Sequence, residues 1–405
     1  MTTRIADLAE WATAVHTAAH IDESDEELAG RALVDTVAVT LAALDDPITG
    51  WTVGQPAALR WAAVGHVLDF DDVHLPSTSH VSVVCVPAAL ACGGGSREYL
   101  AAAGVMARLG AALGWEHYKA GWHATCTAGA PAAAVAAGLA LGLDTGGLAT
   151  AMALAVPAAG GVQRSFGTAG KALQVGFAAA AGVRAAHLAA AGASADPSAL
   201  DQWFTLVGGS GPPELDGPVV PDGLAIKLHP CCYALQRPIS AARAVPRMRP
   251  EDVVSIRVRT PQAALQPLIH SAPATGLEGK FSLEYSIAAA LLDGFPGTAA
   301  FTDAAVERPE AKRLTGSVEV LAEPGGTHIL AGDVRITVTR TDGTEEHAVL
   351  DVPDGHPLRP PSDADLAAKV TGCVGEERAA TVLGLDWTAA AALLHRVLPE
   401  GGQTG

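Results

Sequence analysis

From Val207 to Gly223 the chain reads VGGSGPPELDGPVVPDG, a glycine- and proline-laden stretch that neither a helix nor a central strand tolerates. The hydrophobic period differs on its two sides. Before it, segments such as Glu26 to Leu44 and Asp144 to Val156 place apolar residues three or four apart, which predicts one long α-rich region reaching about Ala195. Beyond it, Val254, Ile256 and Val258 alternate with polar residues. Val334 to Thr339 and Glu346 to Val349 flank Thr341-Asp342-Gly343-Thr344, the pattern of a hairpin. A helix is expected from about Ser282 to Leu292. At Pro360-Pro361 the chain breaks again, and Ser362 with Asp365 forms a capping box for a helical pattern that runs to about Leu398. The expected fold class is mainly α: a large helical domain built from both chain ends, residues 1–222 and 361–405, with an α+β domain over 223–360 inserted between them.

Apolar residues make up 49% of the 405 and charged residues 17%, so a large interior is available. Aromatics supply only 4%. Alanine and glycine must fill much of that interior, which suits closely packed helices better than sheets of bulky residues. The formal charge of −17 argues against nucleic acid or an anionic membrane as partner, since both need a basic face. Glu10, Asp22 and Asp25 interrupt any early apolar run, so no secretion signal is expected and the cytoplasm is the expected location. The six cysteines show no C-x-x-C and no zinc-finger spacing, and most are expected to be small core residues.

Against that weakly charged background, His66 to His80 reads HVLDFDDVHLPSTSH, with Asp69, Asp71 and Asp72 in one turn and His66, His74 and His80 around them. Such density sets up mutually perturbed protonation states, the mark of chemistry more than of a core. A solvated acidic loop with incidental histidines is the plainer alternative. The six lysines are outnumbered by twenty arginines, so the retained ones invite a specific role. Lys171 lies in RSFGTAGKALQVG and Lys227 in AIKLHPCCYALQRP, although either alone also suits a snorkelling surface side chain. His123, in GWH before a small-residue helix, is expected at a helix N-terminus, where the dipole favours neutral imidazole.

Taken in order, HVLDFDDVHLPSTSH, GWH, FGTAGKALQVGFAAAAG, KLHPCCYALQRPISAA and GKFSLEYSIAAALLDG resemble the MmgE/PrpD family over most of the chain. That resemblance implies a helical body with an α+β lid, a homodimer, and cofactor-independent chemistry on a small polycarboxylate without a metal. The family's activities include 2-methylcitrate dehydratase, cis-aconitate decarboxylase and iminodisuccinate epimerase. By motif position the resemblance assigns catalytic roles to Asp69, His80, His123, Lys171 and Lys227, with Gln163, Gln174, Cys232 and Tyr285 lining the substrate pocket between body and lid. Val73, Val81, Gln174 and Gln236 replace a threonine, a proline and two histidines frequent in the family. The expected function is a 2-methylcitrate dehydratase-like hydro-lyase that removes a proton beside a carboxylate, with decarboxylation or epimerisation as siblings. A metal-dependent hydrolase built on D-x-D-D with its histidines, and a non-catalytic helical scaffold, are the competing readings.

Overall fold

Helices dominate the computed structural model, which describes residues 3–209 and 211–399. The outermost residues of the expected 1–222 and 361–405 segments, and Ser210, lie outside the described residues. The mainly α expectation holds. Helix Ala169–Ala190 packs on Ala124–Ala140, Ala57–Val67 and Thr145–Ala155. Small residues make that closeness feasible: a Cβ on Gly182 would stand 2.5 Å from the Ala130 carbonyl of the neighbouring helix. The alanine-rich composition thus translates into short interhelical distances and a core assembled from many small contacts.

One continuous apolar cluster runs from Ile5 to Ile226 and resumes from Leu366 to Leu398. Helices Asp363–Val374 and Glu376–Leu383 lie on Glu23–Ala42, and Trp387–Val397 lies on Ser82–Ala91. The Ser362 capping box is formed, the hydroxyl accepting from the Asp365 N–H while the Asp365 carboxylate accepts from the Ser362 N–H.

A second apolar cluster surrounds a four-stranded sheet made of β1 (Val253–Pro261), β2 (Val318–Glu323), β3 (Val334–Arg340) and β4 (Glu345–Leu350). The order is β2-β1-β3-β4, with β1 and β2 parallel and the other pairs antiparallel. Helices Tyr233–Ala244 and Leu283–Asp293 pack together and onto this sheet. Val73, Tyr118, Ala124 and Phe166 also join the second cluster, so the two cores touch where the titratable segment lies. The connector is tied to helix Ser96–Lys119 by Arg108, whose guanidinium donates to the carbonyls of Asp216, Pro218 and Val219.

Candidate active site

The titratable segment begins where helix Ala57–Val67 ends. Asp69 there adopts a left-handed φ of 52°, a conformation that aspartate tolerates better than most side chains. Its N–H donates to the His66 carbonyl at 2.9 Å. Asp72 closes the segment by accepting from the backbone N–H and hydroxyl of Ser82 at the next helix start. Burial lifts the Asp72 carboxyl to about 7. The segment's three histidines divide by role. The His74 ring bridges Ser77 and the Pro221 carbonyl, clipping the connector in place, whereas His66 and His80 turn towards Asp69 and Asp71.

Asp69 is the hub. Its Oδ1 accepts from Lys171 Nζ at 2.9 Å and from Lys227 Nζ at 2.6 Å, and Lys227 also donates to the Asp69 carbonyl. Burial alone would raise the Asp69 carboxyl, but the Lys171 and Lys227 ammonium groups hold it well below the usual carboxylate range. Asp71 Oδ2 lies 2.8 Å from His66 Nδ1 and 2.9 Å from His80 Nδ1. Those imidazoles likewise overcome burial and keep the Asp71 carboxyl low. Burial pushes His80 down to about 3, with Asp71 opposing and Lys227 and Lys171 assisting. The Lys227 ammonium, in contrast, is raised, because Asp69 and Asp71 outweigh its burial.

His123 is the N-cap of helix Ala124–Ala140, as its sequence context predicts. Its ring stacks near His66 and meets Phe166 edge-on. Burial, then Lys171, holds it well below the ordinary histidine range. Asp69, His80, His123, Lys171 and Cys232 all line one cavity of about 20 Å³, walled by Phe166 and Phe281. The five residues expected from motif position therefore converge: four face this cavity, and Lys227 joins them through Asp69.

The expected pocket-lining residues fare unevenly. Cys232 lines the cavity, and Gln174 reaches it through His123. Gln163 stands behind it, donating to the carbonyls of Tyr118 and Trp122. Tyr285 is not brought in. Ser282 caps the helix at the Tyr285 N–H, and the phenol then points away, donating to the Ala300 carbonyl beside Phe301. Burial lifts the Cys232 thiol to about 11, leaving almost no thiolate at neutral pH. Cys232→Ala is accordingly expected to keep turnover within roughly threefold of the parent; a loss of two orders of magnitude in steady-state kinetics would restore a nucleophilic role.

Lys280 lies beside this cluster and was not among the expected residues. It lies within GKFSLEY, buried, donating to the carbonyls of Leu68 and Pro230 on either side of the junction. Burial lowers its ammonium to about 8. The available signal was lysine scarcity itself, since Lys171, Lys227, Lys280 and Lys369 are all buried, four of the six. Lys171 and Lys227 pair with Asp69, and Lys280 adds a third buried ammonium held by backbone carbonyls.

Single donor atoms of His66, Asp69, Asp71 and His80 lie within 4.8 Å of one another, a set chemically suited to a divalent ion. Two ammonium groups already occupy Asp69 Oδ1, however, and a dication would sit against both. Against that repulsion, His66 Nε2, Asp69 Oδ2 and Asp71 Oδ1 are buried without a hydrogen-bond partner.

The arrangement defines a class: a mainly α protein whose titratable cluster lies where a helical core meets an α+β core. Residues 52–204 match the MmgE/PrpD N-terminal domain and residues 229–383 the MmgE/PrpD C-terminal domain. The chain belongs to the MmgE/PrpD family. It is 27% identical over 350 residues to cis-aconitate decarboxylase of Aspergillus terreus (strain NIH 2624 / FGSC A1156), covering 74% of this chain and 70% of that protein. A second cis-aconitate decarboxylase of Aspergillus terreus is 27% identical over 331 residues, covering 69% and 67%. Among the described residues, no helix is long and apolar enough to cross a membrane.

Proposed function

We propose that this chain is a lyase for a small polycarboxylate, generating carbanion character beside a carboxylate without help from a metal or organic cofactor. The observation that carries the reading is Asp69 held between Lys171 and Lys227 in the cavity that His80 and His123 share. Charge developing next to a carboxylate resembles an enediolate dianion, which needs preorganised cations; the lysines supply them. A proton must also arrive at or leave carbon, and neutral imidazoles beside the cavity suit that transfer. The α+β segment acts in this reading as a lid, contributing Lys227, Cys232 and Lys280 to a site whose other groups come from the helical body, and the active protein is a homodimer.

Release of CO₂ from cis-aconitate is the first reaction to test, because both relatives carry that activity in their names. Loss of water from 2-methylcitrate, the reaction expected from the sequence, is the second, and epimerisation of iminodisuccinate the third. Incubation of each acid in D₂O, with product and recovered substrate analysed by mass spectrometry, separates them by loss of CO₂, loss of water, or label with an intact skeleton. Neither product nor label from any of the three would sink the proposal. Turnover lost on dialysis against EDTA and restored by a divalent ion would favour the hydrolase reading instead.

A further inference from the structure

The two imidazoles that line the cavity have different partners behind them. His80 presents Nδ1 to an Asp71 oxygen 2.9 Å away. An unprotonated Nδ1 would set a lone pair against the Asp71 carboxylate at 2.9 Å, whereas Nε2 stands farther off, 3.5 Å from an Asp69 oxygen whose charge two lysines share, so the neutral ring carries its proton on Nδ1 and leaves Nε2 as the acceptor. For His123 the relation is reversed. Its Nδ1 lies 2.6 Å from the Gln174 side-chain amide nitrogen, which can only donate.

The assignment depends on which way the Gln174 amide points, and the backbone decides that. Gln174 Oε1 accepts from the Val162 N–H at 3.1 Å, while Nε2 faces the Val162 carbonyl at 3.3 Å. Turning the amide over would oppose Nε2 to the Val162 N–H, donor to donor, and Oε1 to the Val162 carbonyl, acceptor to acceptor. Val162 is itself fixed, because the 121–123 and 161–163 segments pair: the His123 N–H donates to Gly161, and the Gln163 N–H to Gly121. Gly161, at φ +119°, permits the approach, since a Cβ there would come within 2.7 Å of the Cys126 Cβ and 3.4 Å of the Gln174 amide carbon. The Cys126 thiol, 3.3 Å from the same Nδ1, is a second group able to donate to it.

We propose that Gln174 is a positioning residue that locks His123 in the Nε2–H tautomer, so that His123 offers a proton to the cavity while His80 offers a lone pair. The lyase reading then acquires directed roles. In a decarboxylation, the C–C bond breaks, CO₂ leaves, and the electron pair left on carbon takes the proton of His123 Nε2–H. His123 recovers a proton from solvent after product leaves. In a dehydration, His80 Nε2 takes the proton from carbon, the pair forms the new double bond, and hydroxide departs with the His123 proton as water. The burial that holds both rings below the ordinary histidine range keeps them neutral at pH 7, the state in which tautomer matters. This inference rests on the lyase reading for its chemistry but on hydrogen-bond geometry for the tautomer.

The test is a two-bond ¹H–¹⁵N spectrum of the full chain labelled with ¹⁵N-histidine, with the His123 signals identified by their loss in His123→Gln. The expected result is a protonated Nε2 and an unprotonated Nδ1 at pH 7; a protonated Nδ1 in the parent protein overturns the proposal. Gln174→Glu replaces the donor with an acceptor and is expected to move the proton to Nδ1. It should also lower kcat for cis-aconitate or 2-methylcitrate on the order of a hundredfold while KM changes by less than about threefold. A moved proton with undiminished kcat would overturn the donor role. An Nε2–H ring in a protein that turns over none of the candidate acids would leave the tautomer standing and remove the lyase reading. If Gln174→Glu does not fold, the parent spectrum still decides the tautomer.

Discussion

Replacing Lys227 with methionine is expected to lower turnover by on the order of a hundredfold or more while the fold survives. The side chain is fully buried, and its Nζ touches both the Asp69 carboxylate and the Asp69 carbonyl. Methionine fills similar space without the charge, so on the proposed function the cavity loses one of the two ammonium groups gathered at Asp69, and Asp69 is left to Lys171 alone. Arginine is not expected to rescue, since a planar fork does not fit where a compact ammonium meets two oxygens on one residue. Steady-state kinetics with circular dichroism as a folding control is the measurement. Near-normal turnover in Lys227→Met would remove this lysine from the catalytic set.

The second large effect concerns stability. Lys369, on helix Asp363–Val374, is buried with Nζ 2.6 Å from Asp35 Oδ1, 2.7 Å from the Phe70 carbonyl, and over the Phe70 ring. Lys369→Met strands Asp35, whose carboxyl burial already raises, in an apolar interior. A loss of about 3–5 kcal/mol is expected from such an uncompensated buried charge. Removing both partners, as Asp35→Leu with Lys369→Met, should recover much of that loss, because burial of the pair itself is expensive. Urea midpoints for the two variants check this; a single variant within about 1 kcal/mol of the parent would show that the pair is not structurally important.

Much of this was legible because local signals and function coincided. Helices with caps and periodic apolar faces were readable, as was the β3–β4 hairpin with its Asp342-Gly343 turn. β2 was not. Val318–Glu323 pairs in parallel with β1, a partner some sixty residues earlier, and no turn chemistry announces a parallel neighbour. In the site, Asp69 and the motif lysines and histidines stood out by density and scarcity. Tyr285 and Lys280 changed places, since the helix expected from Ser282 does not by itself show which side chain of GKFSLEY meets the junction: Lys280 bonds across it and the Tyr285 phenol donates to the Ala300 carbonyl. Gln174 was visible only as a departure from the family's usual histidine; its meaning needed the Val162 backbone.

The cavity that gathers these groups holds about 20 Å³, room for roughly one water molecule. On the proposed function, a polycarboxylate several times larger enters only when the cavity widens. Its apparent affinity is then the intrinsic affinity reduced by the fraction of time the protein spends open. Substitutions at the junction far from any reacting atom should consequently change KM by altering that fraction. The observed association rate at high substrate should level off at the opening rate, a ceiling set by how tightly the protein closes on itself.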